Sequence, residues 1–375
     1  MRGVRAALAA AVASGGLTAG VLVIAGPAGP AVGSTCNTSA PVTVTPDTAL
    51  DNQFQAYGNG GTGTTWTGGD GTESVALPDG RELWLFDDSL LGKVVGGQRN
   101  FAKSPFLHNS LVVEQDGQLS TTYYTKPTRP ATGYININKR RPFYYAFWPD
   151  AAVVDGNILQ VLGDEQRFYR NGSHTGIAGN YLATLSLPSL QRIGITELGS
   201  DTGAAGSVGS TLSDGGYTYI YVEDNTGNVY AARVAGTDVA SQWSFYDGSG
   251  WAPGISGAVA IEHLGMINHF SVSPVGGDYL FVARSTPQSN EIVGALGCSP
   301  VGPFGPTQDI YAAPEPSAYP AAYGVTTYGA HAHPELSTSP NTLVVSYDVN
   351  FASLHGLKNP DASVYRPRFI DVSVG

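Results

Sequence analysis

The hydrophobic positions of this chain come in short alternating runs. SVALPDGRELWLF (74–86), AAVVDGNILQVLG (151–163), STLSDGGYTYIYV (210–222), SVSPVGGDYLFVA (271–283) and ELSTSPNTLVVSY (335–347) share one form. Each passes from a small or apolar strand, through a turn of Gly, Asp, Pro or Asn, into a strand alternating aromatic and aliphatic residues. The turn residues Gly80, Gly156, Gly215, Gly277 and Asn341 stand 76, 59, 62 and 64 residues apart. Further strand pairs fall between them, in SLVVEQDGQLSTTYY (110–124) and GNVYAARVA (227–235). No span carries a persuasive helix of ordinary length. A period of this size predicts radial repetition of four-stranded sheets. The expected fold is all-β: a five-bladed β-propeller forming a single domain over 51–375. The competing fold is a β-sandwich or jelly roll whose hairpins are alike by accident.

The start of the chain reads differently. Arg2 and Arg5 precede an uncharged, loosely apolar stretch, and Ala28 to Gly33 offers small residues for cleavage. Residues 1–33 are therefore expected to be a secretory signal peptide, and 34–50 an N-terminal extension. The alternative is an uncleaved membrane anchor. Two cysteines remain, Cys36 and Cys298. In a secreted, extracellular protein an even pair predicts a disulfide. Lipid modification of Cys36 is the alternative, but Gly33-Ser34-Thr35 does not resemble a lipobox.

Composition narrows the function classes. Of 375 residues, 42% are apolar and only 13% charged, which excludes a disordered chain. Lys occurs five times, too few for a charged helical bundle. The net charge of -11 makes a phosphate-neutralising surface, and so a nucleic-acid partner, a poor expectation. No later segment is apolar enough to cross a membrane. Nothing signals oligomerisation, so a monomer is expected. No Gly-x-Ser-x-Gly elbow, His-Glu-x-x-His or phosphate loop occurs, and no cofactor is implied.

In a propeller the inner strands line a central channel. The residues entering the five units include Trp66, Asp70, Trp148, Asp150, His269, His331, His333 and Glu335. Acids beside aromatic platforms suit carbohydrate, because sugar C–H faces stack on rings while acids bind hydroxyls. Glycosidic cleavage normally uses two carboxyls, one protonating the leaving oxygen and one attacking or activating water. Asp70 in GGDG and Asp88 at the end of LWLFDDS form the leading pair. Each also has a plain structural reading, as a turn former and as a strand-end residue. Asp150 and Glu335 are further acid candidates. His331, His333 and Glu335 offer either a metal-binding face or a hydrogen-bonded lining, and no metal is expected. His269 is expected to bind sugar or water. Trp66 and Trp148 are either stacking platforms or packed core. Arg99 either pairs with a pocket acid or is an exposed charge.

These residues carry a resemblance. Trp66-Thr-Gly-Gly-Asp70-Gly, followed by Leu-Pro-Asp-Gly-Arg-Glu-Leu-Trp-Leu-Phe-Asp-Asp88-Ser, resembles the opening of an actinobacterial family of secreted five-bladed propellers. That family, long a domain of unknown function, includes endo-D-arabinanases. Arg99-Asn100, His108-Asn109-Ser110, Phe147-Trp148-Pro149-Asp150, His333-Pro334-Glu335-Leu336-Ser337 and Ser346-Tyr-Asp-Val-Asn350 resemble its later landmarks, so the likeness covers about 52–352. It implies a glycoside hydrolase cutting within D-arabinofuranose polymers such as those of mycobacterial and related cell walls. The polysaccharide partner would be arabinan. The family's two essential aspartates fall on Asp70 and Asp88. Trp66, Arg99, Asn109, Trp148, Asp150, His269, His333 and Glu335 are the expected substrate-binding set. The family often has Gly-Asp where this chain has Asp87-Asp88, which leaves open which carboxylate faces the pocket.

Overall fold

A computed structural model gives the fold. It describes residues 36–128, 131–137, 143–169, 171–199, 206–263, 265, 269–287, 289–351 and 361–375. The signal peptide expected over 1–33 lies outside the described residues.

The alternating runs do become antiparallel strands. The first large sheet joins Glu73–Ala76, Glu82–Phe86, Ser110–Gln115 and Gln118–Tyr123. The second joins Tyr144–Asp155, Ile158–Phe168, His174–Ser186 and Arg192–Glu197. The third starts at Gly206–Asp214 and Tyr217–Asp224, and the fourth at Phe270–Val275 and Asp278–Arg284. The fifth runs Val325–His333, Thr342–Phe351 and Arg368–Val374. The fifth sequence unit is shifted from its expected place. Residues 334–341 form its connection, beginning with a 3-10 turn at Pro334–Leu336, because Pro334 cannot continue the ladder.

The first strand of each sheet touches the first strand of the next, and Val325–His333 returns to Glu73–Ala76. A ring results, with sheets radiating from it. The apolar faces pack between consecutive sheets. Leu83, Leu85, Leu159 and Val161 fill the first seam, and Val282, Leu296, Val345 and Val349 fill the seam between fourth and fifth. Radial sheets of this kind characterise β-propellers.

Two features were not anticipated. Val42–Pro46, within the expected extension, pairs with Arg368–Val374 as the outermost strand of the fifth sheet. The first and last strands of the described residues thus share one sheet. The disulfide Cys36–Cys298 forms and ties the same N-terminal segment to the fourth sheet's outer connection. The second feature is a helix, Thr48–Asn59, where none was expected. Asp47 caps it by accepting from the Ala49 and Leu50 amides, both at 3.0 Å. Its buried Phe54 meets Trp84 edge-on at 4.9 Å. Tertiary packing of one aromatic residue, rather than a strong apolar stripe, holds this helix.

Candidate active site

A small three-stranded sheet, Trp66–Gly69, Ser89–Leu91 and Phe106–Leu107, sits at one end of the first large sheet. Asp70 follows its first strand and Asp88 precedes its second, so the pair is brought together by strand register. The Asp70 amide donates to the Asp88 carbonyl at 3.3 Å, and the Asp87 amide donates to the Asp70 carbonyl at 2.7 Å. Gly71 completes the turn at φ +61, and a Cβ there would lie 2.2 Å from Asp87 Oδ2. Only glycine allows both the left-handed turn and the buried carboxylate.

The fifth sheet meets this loop. Its inner strand is interrupted between Tyr328 and His331, where Gly329 has φ +66 and a Cβ would lie 2.4 Å from Asp348 Oδ2. Tyr328 donates its hydroxyl to Asp70 Oδ2. Asp348 accepts from the Gly71 amide at 2.8 Å and from Thr72 Oγ1 at 2.7 Å. The second sheet's inner strand also has a register shift, between Pro149 and Ala151, which falls at Asp150. Irregularities of this kind re-aim side chains beside functional sites.

Asp70 and Asp88 have unlike surroundings. Asp70 Oδ1 is enclosed without a partner. Burial, then the charges of Asp88 and Asp348, pushes the Asp70 carboxyl well above the usual carboxylate range, against hydrogen bonds from Tyr328 and Tyr365. The Asp88 side chain is 24% exposed. Its Oδ1 meets His108 Nδ1 at 2.8 Å and accepts from Trp148 Nε1 at 3.1 Å. An indole N–H can only donate, so this oxygen is fixed as an acceptor. His108 is held by stacking on Phe168 at 4.7 Å. Asp87 is buried, its carboxyl raised by burial and then by Asp150, Asp70, Asp88 and Asp348. The partly exposed carboxylate of the Asp87-Asp88 pair is thus Asp88.

Two other groups of ionisable residues surround this pair. Asp150 and Asp164 are 5% and 3% exposed, and burial, then the charge of neighbouring Asp164, pushes the Asp150 carboxyl well above the usual carboxylate range. Ser207 donates to Asp164 Oδ2. Burial pushes Asp164 up to about 7, against the bond from Ser207. Both acids line a cavity of about 390 Å³ with Trp148, Gln166, His174 and His269. Burial holds the His269 imidazole down to about 4, so it is neutral at pH 7. Further along the ring, His331 Nε2 meets Glu73 at 2.8 Å. Ser74 Oγ bonds His333 Nδ1 at 2.5 Å and donates to Glu335, while His333 Nε2 meets Ser346 Oγ at 2.8 Å. Among the described residues no three His, Cys, Asp or Glu side chains are grouped to hold a metal. A larger hollow of about 1040 Å³ lies between the helix and Gln118–Tyr123, remote from the paired acids.

With this geometry established, comparison with known proteins is informative. The family model described as "Domain of unknown function (DUF5005)" matches residues 51–374. The chain belongs to the DUF5005 family. No curated protein matches this DUF5005 chain in sequence. Among solved structures, a candidate hydrolase from Bacteroides ovatus is 23% identical, with a TM-score of 0.70 over 88% of this chain and 90% of that one. The GH43_1 enzyme from Xanthomonas citri, complexed with xylotriose, is 10% identical with a TM-score of 0.45, over 87% and 93%. An exo-beta-1,3-galactanase from Phanerochaete chrysosporium is 14% identical with a TM-score of 0.46, over 83% and 62%. The first likeness shows the fold. The other two, at TM-scores below 0.5, carry no argument.

The DUF5005 structure sorts the expected residues. Trp148, Asp150 and His269 line the cavity of about 390 Å³, Asp88 adjoins it through its bond from Trp148, and Asp70 lies beside Asp88. Four substrate-binding expectations are corrected. Trp66 is fully buried against Phe54 and Phe86, in the core rather than on a platform. Arg99 is fully buried and donates to Thr67 and to the Ala362 carbonyl, so it neither meets a pocket acid nor faces water. Asn109 clamps two backbones, bonding the Ile135 and Phe147 carbonyls at 2.7 Å each. His333, 1% exposed, is spent on two serines. Glu335 keeps a side chain 19% exposed and accepts from Ser74 Oγ. The sequence reading missed the roles of His108, Asp164, Tyr328, Asp348 and Tyr365. His108 and Asp348 lay inside quoted landmarks. The tyrosines had no local signal, because their partners are more than 250 residues away.

Proposed function

We propose that this chain is a secreted, five-bladed β-propeller glycoside hydrolase that cleaves furanoside linkages within D-arabinan. The carrying observation is the meeting of Asp70 and Asp88 in unlike surroundings. Asp70, enclosed and proton-holding, protonates the glycosidic oxygen as the C–O bond breaks. Asp88, oriented by Trp148 and His108, serves the anomeric carbon as nucleophile or as base for water. When Asp70 gives up its proton, the Tyr328 hydroxyl already bonded to it stabilises the new charge. The five radiating sheets support the blade count, and the Cys36–Cys298 bond supports an extracellular setting. Arabinan as substrate rests on the resemblance of the Asp70 and Asp88 blocks.

The test is release of reducing ends from purified arabinogalactan or lipoarabinomannan, with Asp70→Asn and Asp88→Asn as controls. Native protein should release product and both variants should not. Full activity in both variants would rule out the assignment. Saturable glycan binding without product would instead identify a non-catalytic carbohydrate-binding propeller.

A further inference from the structure

The cavity beside Asp88 has a chemistry of its own. Its volume of about 390 Å³ falls within the range of small-ligand sites. Trp148 forms one wall and donates its indole N–H to Asp88, so wall and candidate catalytic carboxylate share one hydrogen bond. Deeper in stand Asp150 and Asp164. Asp150 Oδ2 and Asp164 Oδ1 are both enclosed with no hydrogen-bond partner. Together they present unpartnered carboxyl oxygens, and two buried neighbouring acids favour a proton on one of them. A sugar hydroxyl also both donates and accepts, and therefore complements such a pair. Among the described residues the lining includes no Lys or Arg, while Glu223 and Asp224 add acid. A carboxylated or phosphorylated sugar would find no counter-charge and several repelling groups.

We propose that this cavity is a subsite for one uncharged glycosyl ring next to the cleaved bond, with the Asp150–Asp164 pair reading its hydroxyls. The proposal takes its polymer from the hydrolase reading, but it does not require Asp70 or Asp88 to be catalytic. Asp150 and Asp164 would thus determine specificity and position the substrate.

The test separates binding from turnover. A linear arabinofuranosyl tetrasaccharide and an oligogalacturonate of equal length are titrated calorimetrically into native protein, Asp150→Asn, Asp164→Asn and Ser207→Ala. Melting curves establish that each is folded, and Ser207→Ala perturbs the pair without altering either acid. Native protein should bind the neutral sugar and not the uronate. Each variant should bind the neutral sugar about tenfold more weakly, as expected when a hydroxyl-reading hydrogen bond is lost. In reducing-end assays the same variants should raise KM about tenfold with kcat nearly unchanged, the signature of lost ground-state binding. Unchanged binding in all three variants, equal binding of the uronate, or a fall in kcat at constant KM would each overturn the subsite. Native binding without any product would sink the hydrolase reading and leave the subsite standing. Hydrolysis with native KM in every variant would do the reverse.

Discussion

Two regions of this molecule bury charge beside large aromatic rings, and they do opposite things with it. Under the helix, Arg99 and Arg366 are fully buried near Trp66, Trp84 and Phe54. On the other side, Asp87, Asp348 and Asp150 are buried to a similar degree, Asp150 in the cavity walled by Trp148. The arginines give their N–H groups mostly to neutral oxygens. Arg366 reaches the Thr67 carbonyl at 2.9 Å, Gln55 Oε1 at 2.5 Å and Asn59 Oδ1 at 3.1 Å. The channel acids face one another, with oxygens of Asp70, Asp87, Asp150 and Glu73 left unbonded. Buried charge therefore does not mark a site by itself. Like charges held together beside a cavity, with donors fixing only some of them, do.

The largest expected effect tests the channel side. Asp70→Asn and Asp88→Asn should each lower hydrolysis by about a thousandfold or more while the protein still melts cooperatively. Arg366→Ala should do the opposite. It strands the Thr67 and Gln55 carbonyls and opens a void against the helix, which costs about 3 kcal/mol in urea unfolding. Its folded fraction should keep native kcat. A large kcat loss there, or a large stability loss in Asp88→Asn, would collapse the distinction between the two regions.

A matched pair of tryptophans sharpens it. Trp148→Phe deletes the N–H that reaches Asp88, and activity should fall about tenfold with little change in melting. Trp66→Phe trims the core and should cost about 1–2 kcal/mol of stability with KM unchanged. Interchanged outcomes would show that the aromatic roles have been assigned the wrong way round.

These contrasts also explain what could be read from sequence. The alternating runs and their spacing signalled strand after strand, because side-chain period is a local property. Asp70, Asp88 and Trp148 could be singled out as candidates because glycines and strand ends bracket them. Arg99 and Asn109 misled because a polar residue in a landmark looks the same whether it clamps backbone or faces a ligand. The helix at Thr48–Asn59 is weakly amphipathic and depends on Phe54 meeting Trp84, a contact invisible locally. Tyr328 and Asp348 act on residues from the far end of the chain. Only closure of the ring brings them to Asp70.

The smallest expected effect concerns pH, and its sign follows from burial. Asp348 has an ordinary value of 3.8, raised by burial to about 7 in the folded chain despite bonds from Thr72 and Gly71. The folded state thus holds this proton more tightly than the unfolded state. The group's contribution is fully present below pH 4 and is lost as pH rises through about 7. Asn does not titrate, so Asp348→Asn should lose less stability than native protein between pH 4.5 and 8, by on the order of 1 kcal/mol. Asp164, also raised to about 7, and Asp51, raised to about 6, remain in the variant and keep part of the slope. Urea unfolding at both pH values measures the difference. Parallel losses in the two proteins would mean that Asp348 is as well solvated as a surface acid. The channel carboxyls would then resemble the neutral-partnered arginines under the helix more than the crowded acids of an active site.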